Sequence, residues 1–226
     1  ECYLTLPHIF RTHAIGFFRT YRSCLEQAGF DGLLIRAFEE IQWMREEQVS
    51  LSASFDASVY AWNHGAVHTL KEEQAAFITA PWELNSRELE PVFEACRREG
   101  LPAELIVYGR APMMVSAQCI TKTVKGCSKC PSLLWMKDRT GARLPVQNHC
   151  AFCYNTILNP LPVSLHGCAD SVKRLAPEGL RLCFTIETGE ETKAVLNAFA
   201  AEFIRGENAE SPFTEFTRGH FRRGVE

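Results

Sequence analysis

The stretch Gly29-Phe-Asp-Gly-Leu-Leu-Ile-Arg-Ala-Phe-Glu-Glu-Ile-Gln-Trp-Met-Arg-Glu-Glu-Gln-Val-Ser-Leu-Ser-Ala53 decides the fold class. A short apolar run at Gly32–Ile35 is followed by a longer amphipathic segment at Phe38–Glu47 and by a second short run at Val49–Ala53. That is the pattern of strand, helix and strand over a parallel sheet. Working outward, the same alternation predicts strands near Cys2–Phe10, Ala76–Thr79, Leu105–Tyr108 and Leu180–Thr185. Helices are predicted near Ala14–Ala28, Ala57–Leu70, Ser86–Glu99, Val163–Leu175 and Glu190–Ile204. Asp56, and Asn85 or Ser86 with Glu88, have side-chain oxygens suited to cap helix starts, while Gly29 and Gly100 stand where helices end. Six such units are two fewer than a closed eight-stranded barrel needs. The expectation is an α/β fold, an incomplete or open TIM-barrel-like βα repeat.

The alternation fails between Ile120 and Leu161. Five of the ten cysteines fall in or just before this interval, at Cys119, Cys127, Cys130, Cys150 and Cys153, and two intervals have the form Cys-x-x-Cys. Thiolates spaced by two residues can grip one metal from a single turn, and a second pair completes a four-sulfur cage. The spacing suits structural zinc, but a fifth thiol is one too many for a simple zinc ribbon. Iron–sulfur clusters take four thiolates from less regular spacings, so both metals stay open. Inside the interval, Leu133–Lys137 and Arg143–Gln147 flank Asp138-Arg139-Thr140-Gly141, a hairpin with a glycine-bearing turn. Three regions result: a βα-repeat barrel portion over 1–118, a cysteine-rich metal-binding insertion with a hairpin over 119–161, and a closing βα unit with a C-terminal tail over 162–226.

Composition narrows the setting. A net charge of −3 over 226 residues exerts no global pull toward nucleic acid or membrane. Charge is nonetheless uneven, with Arg110, Lys122, Lys125, Lys129, Lys137, Arg139 and Arg143 against the single acid Asp138 between residues 110 and 145. No apolar run is long enough to span a membrane and nothing in the sequence resembles a signal peptide, so cytoplasm is the expected compartment, where thiols favour metal over disulfides. A start at Glu1 without methionine, running at once into a strand, suggests a piece of a longer polypeptide whose N-terminal portion is a partner.

The segment Glu104-Leu-Ile-Val-Tyr-Gly-Arg-Ala-Pro-Met-Met-Val-Ser-Ala-Gln-Cys119 resembles the signature of the collagenase-like peptidase family U32. The likeness continues through Cys127-Ser-Lys-Cys130, Leu134-Trp-Met-Lys-Asp-Arg-Thr-Gly141 and Asn159-Pro160. Trp82-Glu83-Leu84-Asn85 and Thr217-Arg218-Gly219-His220-Phe221 resemble segments of longer bacterial members. The resemblance implies a barrel-type fold and, in several members, hydroxylation of tRNA or ribosomal RNA bases or of ubiquinone precursors with a cysteine-bound 4Fe-4S cluster. By matching positions it implies Cys119, Cys127, Cys130 and Cys153 (or Cys150) as ligands, with zinc the alternative. Tyr108 stands where many shorter members have histidine, and Ala117-Gln118-Cys119 where they have Gly-x-Cys.

The candidate catalytic residues are Glu104, Tyr108 and Arg110, at or beyond a strand whose carboxyl end faces the functional side of a barrel. Glu104 is expected either to orient substrate or to pair with Arg110 or Arg139. The substrate expected is RNA or a small anion. Two other readings stand beside the hydroxylase: a collagenase-like peptidase using a metal-bound water, which an all-cysteine cage leaves no position for, and a non-catalytic barrel half with structural zinc. Cys24, Cys96 and Cys183 are expected as small core residues, Asp138 as a turn residue bonding its own backbone, His149 as a solvated loop residue and the tail around His220 as frayed.

Overall fold

The computed structural model describes residues 1–127, 129 and 133–224. In chain order it begins β1 (Tyr3–Thr5), α1 (Thr12–Gln27), β2 (Gly32–Ile35), α2 (Phe38–Glu46), β3 (Ser52–Phe55), a single 3-10 turn (Ala57–Val59), α3 (His64–Glu72), β4 (Ile78–Thr79), α4 (Ser86–Glu99) and β5 (Ala103–Gly109). There follow β6 (Pro112–Ser116), α5 (Ile120–Lys125), β7 (Leu133–Lys137), β8 (Arg143–His149), β9 (Tyr154–Leu158), β10 (Val163–Ser164), α6 (Ala169–Leu175), β11 (Gly179–Cys183), α7 (Gly189–Phe199) and a π-helical turn (Ala200–Arg205).

Strands β1, β2, β3, β4, β5 and β11 pair in parallel in that order, and β10 adds antiparallel to the end of β5. The sheet curls into a half-barrel, an open TIM-barrel-like fold of six parallel strands among the described residues. Leu33, Ile35, Phe55 and Ile78 are fully buried, and α1, α2, α3 and α4 bring Phe18, Trp43, Leu70 and Phe93 into the same core. Apolar burial on this scale contributes about 1.5–3 kcal/mol for each large side chain. Gly109 is required by its neighbour: a Cβ there would stand 2.6 Å from that of Cys183.

Strands β6, β9, β8 and β7 form a second, antiparallel sheet in that order. The expected hairpin is present as β7 and β8, with Leu133 opposite Gln147 and Lys137 opposite Arg143. It is half of a four-stranded sheet whose other strands carry no local turn signal. Phe152, in the turn between β8 and β9, stacks on Phe18 of α1 at 5.6 Å and meets Phe17 edge-on at 5.5 Å. Gln147 donates to the Thr185 carbonyl at 3.1 Å. The second sheet is thereby bolted to the barrel at two places.

Three local expectations are corrected. The predicted Ala57–Leu70 helix is two pieces, because Asp56 caps only the 3-10 turn (2.9 Å from Ala57 N) and Asn63 starts α3 afresh by accepting from Ala66 N. The predicted Val163–Leu175 helix begins at Ala169, since Val163 and Ser164 are claimed by β5. The C-terminal tail is docked: Thr217 bridges to Val163, Phe221 is buried, and Arg218 donates to the carbonyls of Ser164 (2.6 Å) and His166. Among the described residues no helix is long and apolar enough to cross a membrane.

The Asn85 side chain accepts from both Arg87 N and Glu88 N at 3.0 Å, and Glu88 returns the bond to Asn85 N at 2.8 Å. Asn85→Ala is therefore expected to lower stability by about 1 kcal/mol in urea denaturation. A change below about 0.3 kcal/mol would deny the capping box that role.

Candidate functional site

All six parallel strands end on one side, and the segments leaving them line a cavity of about 340 Å³. Arg36 follows β2 directly and Asp56 follows β3 directly, so a buried strand end delivers each charge to the mouth. Arg181 comes from within β11. Its Nη1 lies 3.0 Å from each of Asp56 Oδ1, Thr79 Oγ1 and Glu104 Oε1, and the Thr79 hydroxyl donates to Glu104 at 2.6 Å. Arg36 Nε donates to the other Asp56 oxygen at 2.8 Å. Burial alone would raise the Asp56 pKa, but the two guanidiniums outweigh it and hold the carboxyl below its ordinary value.

The second sheet forms the opposite wall through Met113, Met114, Gln147, His149 and Thr156. His149 accepts or donates at 3.1 Å to Thr156 Oγ1 and stacks on Tyr154 at 4.3 Å. It is a half-buried wall residue rather than a solvated one. Burial, then the nearby Arg36 charge, lowers its pKa. His8, beyond β1, is driven to about 4 by burial and then by Arg36. The cavity thus carries guanidinium and carboxylate charge beside two neutral imidazoles at neutral pH.

The sequence-predicted residues distribute as follows. Glu104 pairs with Arg181, not with Arg110 or Arg139. Arg110 lines the cavity; it donates to the carbonyls of Asn159 (3.2 Å) and Pro160, and its Nε is 3.9 Å from Glu187. Tyr108 is buried against Phe184, Phe199 and Phe213, and its hydroxyl donates to Glu187 at 2.9 Å. Burial and that carboxylate push the phenol pKa well above its ordinary value, so it serves as scaffold for Arg110's neighbourhood. Cys96 is buried as expected, whereas Cys24 is exposed and Cys183 lines the cavity, its thiol raised to about 11 by burial. Asp138 does bond its own turn, accepting from Thr140 N and Ala142 N.

Cys119 and Cys153 belong to one end of the second sheet, and Cys127 is exposed just beyond α5. Ser116, ending β6, lies opposite Asn155, and Cys150–Cys153 form the turn between β8 and β9. Strand β7 enters at the same end, at Leu133 opposite Gln147. Cys119 caps α5, its sulfur accepting from Lys122 N at 3.4 Å and donating to Asn148 Oδ1 at 3.6 Å. Asn155 holds that corner by accepting from Ile120 N at 2.8 Å. Cys153 sits at φ +56°. Cys130 lies outside the described residues. Among the described residues no three histidine, cysteine or acidic side chains stand together closely enough to hold a metal. The donors at this sheet end are nonetheless thiols, with an N–H directed at Cys119, and that chemistry fits a thiolate-held cluster or zinc.

Residues 1–159 match peptidase family U32. The chain belongs to this family. The matched span of this U32 protein contains the barrel strands β1 to β5 and the whole second sheet. No curated protein matches it. Two solved structures from Rhizobium etli align with part of it. One is the carboxyl transferase domain of pyruvate carboxylase with pyruvate, 15% identical with a TM-score of 0.29, covering 41% of this chain and 20% of that one. The other is a pyruvate carboxylase variant crystallized without acetyl coenzyme A, 16% identical with a TM-score of 0.29, covering 41% and 12%. The chain therefore spans a fifth or less of either structure's length, and likeness this slight carries no argument about chemistry.

The residues that sequence reading missed are Arg36, Asp56, Arg181, His8 and Glu187. A signal existed for two of them: a charge placed immediately after the apolar end of a strand, at Ile35-Arg36 and Phe55-Asp56, is a residue at a barrel's functional end.

Proposed function

We propose that this U32 chain is the domain of a hydroxylation-type enzyme that holds a small anionic substrate or an RNA base in the barrel-mouth cavity, beside a 4Fe-4S cluster on Cys119, Cys127, Cys130 and Cys153. The observation that carries the reading is shared scaffolding: β8 supplies His149 to the cavity wall and passes directly into the Cys150–Cys153 turn. When bound, the cluster would supply one-electron chemistry. Arg36 and Arg181, held by Asp56, present guanidinium groups to an oxyanion. Phe152 stacks on Phe18 of α1 and so holds that end of the second sheet against the barrel. Outside the cavity, Trp135 is half exposed with the Arg143 guanidinium 5.1 Å over its ring, and Lys137 and Arg139 lie nearby in sequence. An aromatic and cationic plate of this kind suits a nucleic-acid strand.

Purified without air, the chain is expected to be brown and to contain iron and acid-labile sulfide, and Cys119→Ser to lose most of both while remaining folded by circular dichroism. A colourless protein with stoichiometric zinc would replace the cluster with a structural metal. Nucleoside mass spectrometry of a deletion strain tests the substrate: an unchanged profile of hydroxylated bases would remove RNA.

A further inference from the structure

Tyr60 is a non-glycine residue in the left-handed region, at φ +56° and ψ +57°. It closes the 3-10 turn that Asp56 begins, its N–H donating to Ala57 O at 3.2 Å. Left-handed backbone is disfavoured for a residue with a Cβ, and glycine would adopt it freely. Burial does not explain the tyrosine, because the side chain is 56% exposed. Its surroundings supply a reason. Tyr60 lines the same cavity as Arg36 and Arg181, and Trp82, Met113 and Met114 line it too. Met113 and Met114 are 61% and 57% exposed, so the cavity has a charged floor and a solvent-exposed apolar rim. One five-residue segment, Asp56–Tyr60, governs both: its first residue fixes the two guanidiniums and its last carries the rim ring.

We infer that Tyr60 is a specificity-determining stacking platform, and that the cavity's ligand is a compound with a planar ring bearing an oxyanion. The inference rests on the reading of the cavity as an anion site and adds the ring. The oxyanion meets Arg36 and Arg181 while the ring lies against Tyr60, with the methionine thioethers offering the polarizable contacts that aromatic rings favour. The backbone strain is retained because it aims the phenol over the cavity mouth.

The test is calorimetric titration of the chain with inorganic phosphate, cyclohexyl phosphate and phenyl phosphate. The wild type and Tyr60→Phe are expected to bind phenyl phosphate on the order of tenfold more tightly than inorganic phosphate, with cyclohexyl phosphate between them. Tyr60→Gly is expected to lose the advantage of the ring, to keep its affinity for inorganic phosphate, and to melt no lower than the wild type. Equal binding of phenyl phosphate by wild type and Tyr60→Gly would overturn the platform while leaving the anion site in place. So would a lower melting temperature with parallel loss of inorganic phosphate, which would make Tyr60 a structural residue. Failure of the wild type to bind any of the three would overturn the anion site itself, and the platform with it.

Discussion

Arg181→Met is expected to lower stability at neutral pH by about 3 kcal/mol and to abolish phosphate binding in the cavity. Methionine keeps most of the stem's packing and removes only the charge, so the loss reports the network. One nitrogen, Nη1, serves Asp56, Thr79 and Glu104 at once. Without it Asp56 retains Arg36, but Glu104 retains only the Thr79 hydroxyl, and two poorly solvated carboxylates then face each other across the gap. Stranding a buried charge costs about 3–5 kcal/mol; the lower figure applies because Arg181 and Glu104 are each about a fifth exposed.

The pH dependence gives the sign. The Asp56 pKa is depressed in the folded protein, so its contribution is present above the unfolded pKa near 4 and is lost as pH falls through the folded value. The gap between wild type and Arg181→Met should therefore narrow on acidification below about pH 4. Urea denaturation at pH 7 and at about pH 3.5 reads this directly. A gap that stays constant would mean that the methionine variant suffers from packing and not from charge.

Glu40→Gln is expected to stabilise the protein at alkaline pH by a few kcal/mol and to leave it unchanged in acid. Glu40 is fully buried at the start of α2. Burial pushes its carboxyl up to about 8, although the backbone N–H groups of Arg36 (2.6 Å) and Ala37 (3.3 Å) pull the other way. Its second oxygen has no hydrogen-bond partner in the structure. In the unfolded chain the group ionises near 4.5. Between these values the folded state binds the extra proton, so stability falls as pH rises from about 4.5 to about 8. Glutamine can keep the acceptor for Arg36 N and has no charge to bury. Its advantage should thus grow through that window and level off above it. Parallel stability profiles for the two proteins from pH 5 to pH 9 would show that Glu40 is ionised or solvated throughout.

The barrel was legible where local pattern and tertiary fate agree. Gly32–Ile35 is a strand in sequence and in structure because both faces of a parallel strand are buried, which demands a continuous apolar run. Ser86–Glu99 is a helix in both because Asn85 and Gly100 mark its two ends chemically. Reading failed where partners far along the chain override local tendency. Val163 and Ser164 have nothing in their own sequence to stop a helix, but the end of β5 offers them a ladder. Phe152 carries no local mark of where it packs; α1, well over a hundred residues earlier, supplies Phe17 and Phe18 to meet it. The tail was expected frayed on its arginines, yet Arg218 finds two backbone carbonyls and Phe221 a buried place.

By itself the sequence determined that this protein is a series of βα units interrupted by a cysteine-rich, locally basic excursion, and that it belongs with the U32 family. Both are properties of neighbours along the chain: apolar period, capping residues, motif spacing. Only the tertiary structure decided which charges form the cavity. Arg36, Asp56 and Arg181 have no common motif, and Arg181 bonds Asp56 across 125 residues. Their meeting depends on the order in which parallel strands line up, since strand order determines which ends are adjacent and no local periodicity records it.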